Sequence, residues 1–139
     1  MTHSVARLAA FWRVLARVRR LRVQRRLREM VDARRGERRA AGVVAERIAA
    51  LERHAEERLR VLASCRRDLS ASRQWHATLR AHDALTPTLR RQLTEAEAAH
   101  TRACEEVVRA LTNRRRETVR QEEADTRARE CLMRLRESG

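Results

Sequence analysis

The chain has 139 residues and a formal net charge of +14, from 33 basic and 19 acidic side chains, and none of the basic residues is Lys. Aromatic residues make up only 2% (Phe11, Trp12 and Trp75), with three Gly and one Pro, so the turn residues and strand formers of a β-rich domain are scarce. Ala inflates the apolar fraction of 42%, which argues against an enzyme's enclosed pocket, and the wealth of Ala, Leu, Arg and Glu argues against disorder and for long helices.

The charge is uneven along the chain. Residues 1–41 hold 13 Arg against three acids, a net of +10, while residues 42–139 hold 20 Arg against 16 acids, a net of +4. The first 28 residues contain no acid at all, a pattern shared by basic helices and, less commonly, by mitochondrial presequences. No apolar run approaches the roughly 20 residues that span a bilayer, and no secretory signal is recognisable. The three Cys (Cys65, Cys104, Cys131) lack C-x-x-C spacing, which suits a reducing cytosol.

In chain order, a helix is expected from about Ser4, a potential N-cap. Leu8, Phe11, Leu15 and Val18 recur at spacings of three and four, with Trp12 and Val14 widening the stripe. Gly36 and Gly42 each cost on the order of 1 kcal/mol against Ala inside a helix, so a kink at 36–42 competes with a continuous helix. From Val44 a heptad seam runs through Ile48, Leu51, Ala55, Leu62, Cys65, Leu69, Ser72, His76 and Leu79, thin because many members are small or polar. The strongest punctuation follows at 83–87, where Thr86 can cap a helix whose first residue is Pro87. The second helix, 88–137, carries Leu89, Leu93, Ala96, His100, Cys104, Val107, Leu111, Leu132 and Leu135.

These elements predict an all-α fold. Two long helices, about 4–82 and 88–137, form an antiparallel coiled-coil hairpin over 1–139, with the turn at 83–87. In that register residues 88–137 lie against about 33–82, Cys65 faces Cys104, and the first 32 residues overhang as a basic helical extension.

No catalytic constellation is found: there is no Gly-rich phosphate loop, no H-E-x-x-H and no nucleophile elbow. The five His are scattered without metal-ligand spacing, and His76 and His100 read best as polar layers of the seam. No cofactor is expected. The basic segment is open to several readings: a solvated face, nucleic-acid binding through counterion release, a membrane-surface helix, or docking into a protein partner through Leu8, Phe11, Leu15 and Val18. Trp75, close to the expected turn, is either packed locally or an interface anchor.

An Arg- and Glu-rich helical hairpin of this length, with residues 17–30 reading RVRRLRVQRRLREM, resembles the FliJ/YscO family, central-stalk proteins of flagellar and virulence type III secretion systems. The resemblance implies a cytoplasmic, non-enzymatic protein, peripheral to the inner-membrane export apparatus. Its joined termini would insert into a hexameric export ATPase and promote its activity. Its hairpin tip would contact the cytoplasmic domain of the export-gate protein, and some members bind secretion chaperones. By position, the ATPase-facing end comprises Arg13, Arg17, Arg19, Arg20, Arg22, Leu132 and Leu135, and the gate-facing tip comprises Trp75, Leu79 and His82. The absence of Lys departs from the family's usual composition. The alternatives are a basic coiled coil that binds nucleic acid and a structural coiled coil that self-associates.

Overall fold

The computed structural model describes residues 2–138. Two helices, α1 (Thr2–Arg67) and α2 (Ser72–Ser138), are joined by a single 3-10 turn at Leu69–Ala71, and no strand occurs among the described residues. The fold class is an all-α helical hairpin. No helix among the described residues is long and apolar enough to cross a membrane.

The turn lies about fifteen residues before the expected position, and it is built without Gly or Pro. Asp68 leaves the helical region (φ −111°, ψ 82°), its N–H closing the last bond of α1 to the Ser64 carbonyl. Its carboxylate accepts from the Ser70 hydroxyl at 2.8 Å and from the Ala71 N–H at 3.3 Å. These bonds and the Trp75 side chain hold the Asp68 carboxyl below its ordinary range. This is side-chain capping of an orphan donor, the reason Asp and Ser favour such junctions.

Pro87, expected to open the second helix, instead lies inside α2. An interior Pro forfeits one backbone hydrogen bond and crowds the carbonyl four residues earlier, costing about 3 kcal/mol. The alternative would leave residues 1–32 without a partner segment. A turn near the middle of the chain pairs them, and burial over many residues outweighs one lost bond.

The chain divides into two compact units: one formed by the chain up to Arg35 and from Glu105 onward, the other by Gly36–Cys104. In each unit the helix segments run antiparallel. In the terminal unit Trp12 meets Arg127, Arg19 meets Glu117 and Met30 meets Arg114. In the other, Glu37 meets His100, His54 meets Thr86 and Arg58 meets Asp83. Residue numbers fall on α2 as they rise on α1. The expected basic overhang therefore does not exist, and Cys65 does not face Cys104; all three thiols are free.

α1 continues without interruption through Gly36 and Gly42, neither of which has a positive φ. A Cβ built at Gly42 meets nothing within 4 Å. Gly42→Ala is therefore expected to stabilise the protein by about 0.5–1 kcal/mol, through lower unfolded-chain entropy, as measured by urea unfolding.

Candidate functional site

The terminal unit has an unusual division of side chains. Its buried positions are small or thin: Ala9, Ala16 and Met30 from α1, and Ala110, Ala124, Ala128 and Cys131 from α2. The large apolar residues of the expected stripe mostly face outward: Leu8, Phe11 (56% exposed), Val14 (63%), Val18 and, one turn on, Leu21 (59%). Trp12 and Leu15 are half-buried. Trp12 packs edge-on against Phe11, ring centroids 5.4 Å apart, and lies 5.9 Å beneath the Arg127 guanidinium. The segment is thus apolar on two sides. One faces α2 through small residues, and the other is left in water as a contiguous stripe at helical spacing. An exposed stripe of this kind is a candidate interaction surface.

The same unit contains all seven residues expected at the ATPase-facing end. Arg13, Arg17, Arg20 and Arg22 are exposed, and Leu132 and Leu135 are half-buried on α2. Arg19 differs. It turns toward α2, its side chain 23% exposed, with Nη1 3.8 Å from Glu117 Oε2. Glu117 is buried, receives a long 3.4 Å bond from Arg120 at Oε1, and has no hydrogen-bond partner at Oε2. It occupies a heptad position between Ala110 and Ala124, and with Arg22, Arg25 and Arg26 it lines a small cavity of about 210 Å³.

The unit containing the turn holds the residues expected at the gate-facing tip, but only Trp75 lies near the turn, in the first helical turn of α2. Leu79 and His82 lie farther along α2, His82 about 15 Å from its start at 1.5 Å per residue. All three are half-buried. His82 is engaged internally: its ring stacks on His54 at 3.7 Å, and its Nε2–H donates to the His54 carbonyl at 2.6 Å. His54 Nε2 in turn pairs with the Thr86 hydroxyl at 3.0 Å, so Thr86 binds across the hairpin and caps nothing. His76, expected in the seam, is exposed and donates from Nδ1 to the Ser72 carbonyl. The seam itself runs through Val44, Leu51, Val61 and Cys65, with Ile48, Ala55 and Leu69 exposed. A one-residue phase drift separates Val61, which is buried, from the expected Leu62.

Beside the His pair, Leu51, His54, Arg58, Asp83, Thr86 and Pro87 line an open groove of about 490 Å³. Arg58 donates from Nε to Asp83 Oδ1 at 2.8 Å and from Nη2 to Oδ2 at 3.4 Å. That bond, more than the charge itself, holds the Asp83 carboxyl below its usual range and raises the guanidinium. A carboxyl depressed by folding contributes stability above its unfolded value, near 3.9, and the contribution is lost as pH falls through the lower folded value. Asp83→Asn is therefore expected to flatten the acid side of the melting-temperature profile below about pH 4 and to leave the slope near neutrality unchanged.

A third grouping brings together residues far apart in sequence. His100 Nε2 lies 2.8 Å from Glu37 Oε1 and 3.6 Å from Cys104 Sγ, and the three ligand atoms all lie within 4.8 Å of one another. The H-x-x-x-C spacing of His100 and Cys104 places both on one face of α2 and is visible in the sequence. Glu37 is brought to them only by the hairpin register. Comparisons with protein-family models, with curated proteins and with solved structures give no match to this chain.

Proposed function

We propose that this protein is a non-enzymatic helical-hairpin stalk of a type III secretion export apparatus. It would bind a hexameric export ATPase through its terminal unit and the cytoplasmic domain of the export gate through the region of the turn. The observation that carries the reading is the surface of the terminal unit. Leu8, Phe11, Val14, Val18 and Leu21 form an exposed apolar stripe, with the Arg13, Arg17, Arg20 and Arg22 side chains on the same helix segment also exposed. A large apolar stripe with clustered positive charge suits an acidic protein surface, where apolar anchors supply affinity and charge supplies orientation and rate. The pairing of both terminal segments in one unit agrees with a stalk whose two termini enter a partner together. Any effect on ATP hydrolysis would be exerted through the partner's conformational equilibrium, by binding one state more tightly than another.

The second reading is nucleic-acid binding. The total charge favours it, and so does the grouping of Arg22, Arg25 and Arg26 along one cavity. Against it, the chain has only three aromatic residues, and Trp12 already packs edge-on against Phe11 and beneath Arg127, so platforms for bases are few.

The test is a pull-down from nuclease-treated lysate of the source cell at moderate salt, with mass spectrometry of the retained proteins. Recovery of an export ATPase or a large export-gate protein is the expected result. Loss of all retention on nuclease treatment, with a steep salt dependence, would move the assignment to nucleic acid.

A further inference from the structure

The grouping of Glu37, His100 and Cys104 has a geometry that local packing does not require. Glu37 belongs to α1 and the other two to α2, and each is half-buried. His100 and Cys104 are four residues apart, one helical turn, so both reach the same patch of the facing helix. Both partners of the imidazole converge on one atom, Nε2. A thiol–imidazole–carboxylate relay for nucleophilic catalysis needs the thiol on one ring nitrogen and the carboxylate on the other. Convergence on a single nitrogen instead gathers a carboxylate oxygen, an imidazole nitrogen and a sulfur within 4.8 Å of one another.

We propose that Glu37, His100 and Cys104 form a binding site for a zinc-class divalent cation, with solvent at the fourth coordination position. The donor set carries the choice of ion. Thiolate and imidazole select zinc and its neighbours over magnesium or calcium, which prefer all-oxygen shells. The dimensions fit. Around a tetrahedral zinc with Zn–N and Zn–O near 2.0 Å and Zn–S near 2.3 Å, ligand atoms are separated by about 3.3–3.6 Å. The nitrogen–sulfur distance of 3.6 Å already matches, and the carboxylate, at 2.8 Å from the nitrogen, has to withdraw by about half an ångström. Thiolate and carboxylate together balance the dication. Loading takes the Cys104 thiol to the thiolate, its proton leaving to solvent, and holds the neutral His100 ring in the tautomer whose proton sits on Nδ1, leaving Nε2 as the donor atom. Because ligands come from both helices of this unit, the bound ion would tie α1 to α2 at that point.

The experiment titrates Co²⁺ into the reduced full-length chain. One equivalent is expected to produce a thiolate-to-cobalt charge-transfer band with the visible absorption of a tetrahedral ion, both abolished by added Zn²⁺. Cys104→Ser should remove the charge-transfer band, and Glu37→Gln and His100→Gln should each weaken binding about 100-fold or more, at least the upper end of what a lost outer-shell contact costs. Cys65→Ser and Cys131→Ser should change nothing. Zn²⁺ should raise the melting temperature of the parent chain and not that of Cys104→Ser, whose helicity circular dichroism verifies. Absence of the band in the parent chain, or its persistence in Cys104→Ser, would overturn the assignment, and neither result bears on the stalk reading.

Discussion

Arg19→Ala is expected to destabilise the protein by about 2 kcal/mol, whereas Glu117→Ala is expected to stay within about 1 kcal/mol of the parent, although the two residues form one ion pair. The asymmetry follows from where each charge can go. Glu117 is 6% exposed on the paired face of α2, with one carboxylate oxygen lacking a hydrogen bond, and Arg19 at 3.8 Å is the less exposed of the two cations that pair with it. Removing Arg19 leaves that carboxylate buried with the long contact to Arg120, itself largely in solvent, and with Arg22, Arg25 and Arg26 across the small cavity but not in ion-pair contact. Breaking one side of a buried pair typically costs 3–5 kcal/mol, and the partial exposure of Arg19 and the presence of Arg120 bring the figure to about 2. Removing Glu117 has a different outcome. Ala at 117 continues the small-residue heptad of Ala110 and Ala124, and the 23%-exposed Arg19 can extend its guanidinium into water. Urea unfolding of the two single variants and the double variant measures this. Equal losses in both singles would mean that Glu117 packs through its methylenes and not through its charge.

The second large effect concerns the partner. On the proposed stalk reading, reversing Arg13, Arg17, Arg20 and Arg22 to Glu is expected to abolish binding to an acidic partner surface, and with it any stimulation of an export ATPase, while circular dichroism still reports the parent's helix content. Four reversals of two charges each take the net charge from +14 to +6. All four side chains are exposed, and only Arg22 also lines the cavity that holds buried Glu117, so Arg22→Glu is first measured alone for helix content and melting temperature. Arg19, on sequence position a natural fifth member, has to be left out. Its reversal would set a second carboxylate against Glu117 and confound loss of fold with loss of binding. Persistence of ATPase stimulation in the quadruple variant would remove these residues from the contact. The apolar stripe can be separated from the charge by Phe11→Ala, which is expected to slow nothing in association and to raise the dissociation rate, because affinity differences among interface variants lie mostly in dissociation.

Several elements were legible in the sequence for physical reasons that hold at short range. Helix formation was, because Ala, Leu, Arg and Glu dominate a chain with few Gly and one Pro. So was the uneven charge, which requires only counting. The stripe Leu8–Phe11–Val18 was legible as a stripe, since spacing alone reveals it, although spacing could not say which side of the helix would be paired.

What tertiary structure decided is the pairing. Pro87 is the strongest local breaker in the chain and Asp68-Leu69-Ser70-Ala71-Ser72 a weak one, yet the turn forms at the second. A local penalty of about 3 kcal/mol is paid once, while the register fixed by the turn determines whether dozens of residues find a partner. The same register buries Ala9 and Ala16 in place of Leu8 and Phe11, brings Glu117 against Arg19, stacks His54 on His82, and gathers Glu37 with His100 and Cys104. None of these juxtapositions is a property of a short window of sequence. That the chain is helical, basic and apolar in stripes follows from its residues alone, because those properties are sums over near neighbours. Which stripe is covered, which charge is buried and which ligand atoms meet depend on contacts between residues 25 to 115 positions apart, from Arg58–Asp83 to Trp12–Arg127, and only the hairpin register sets those.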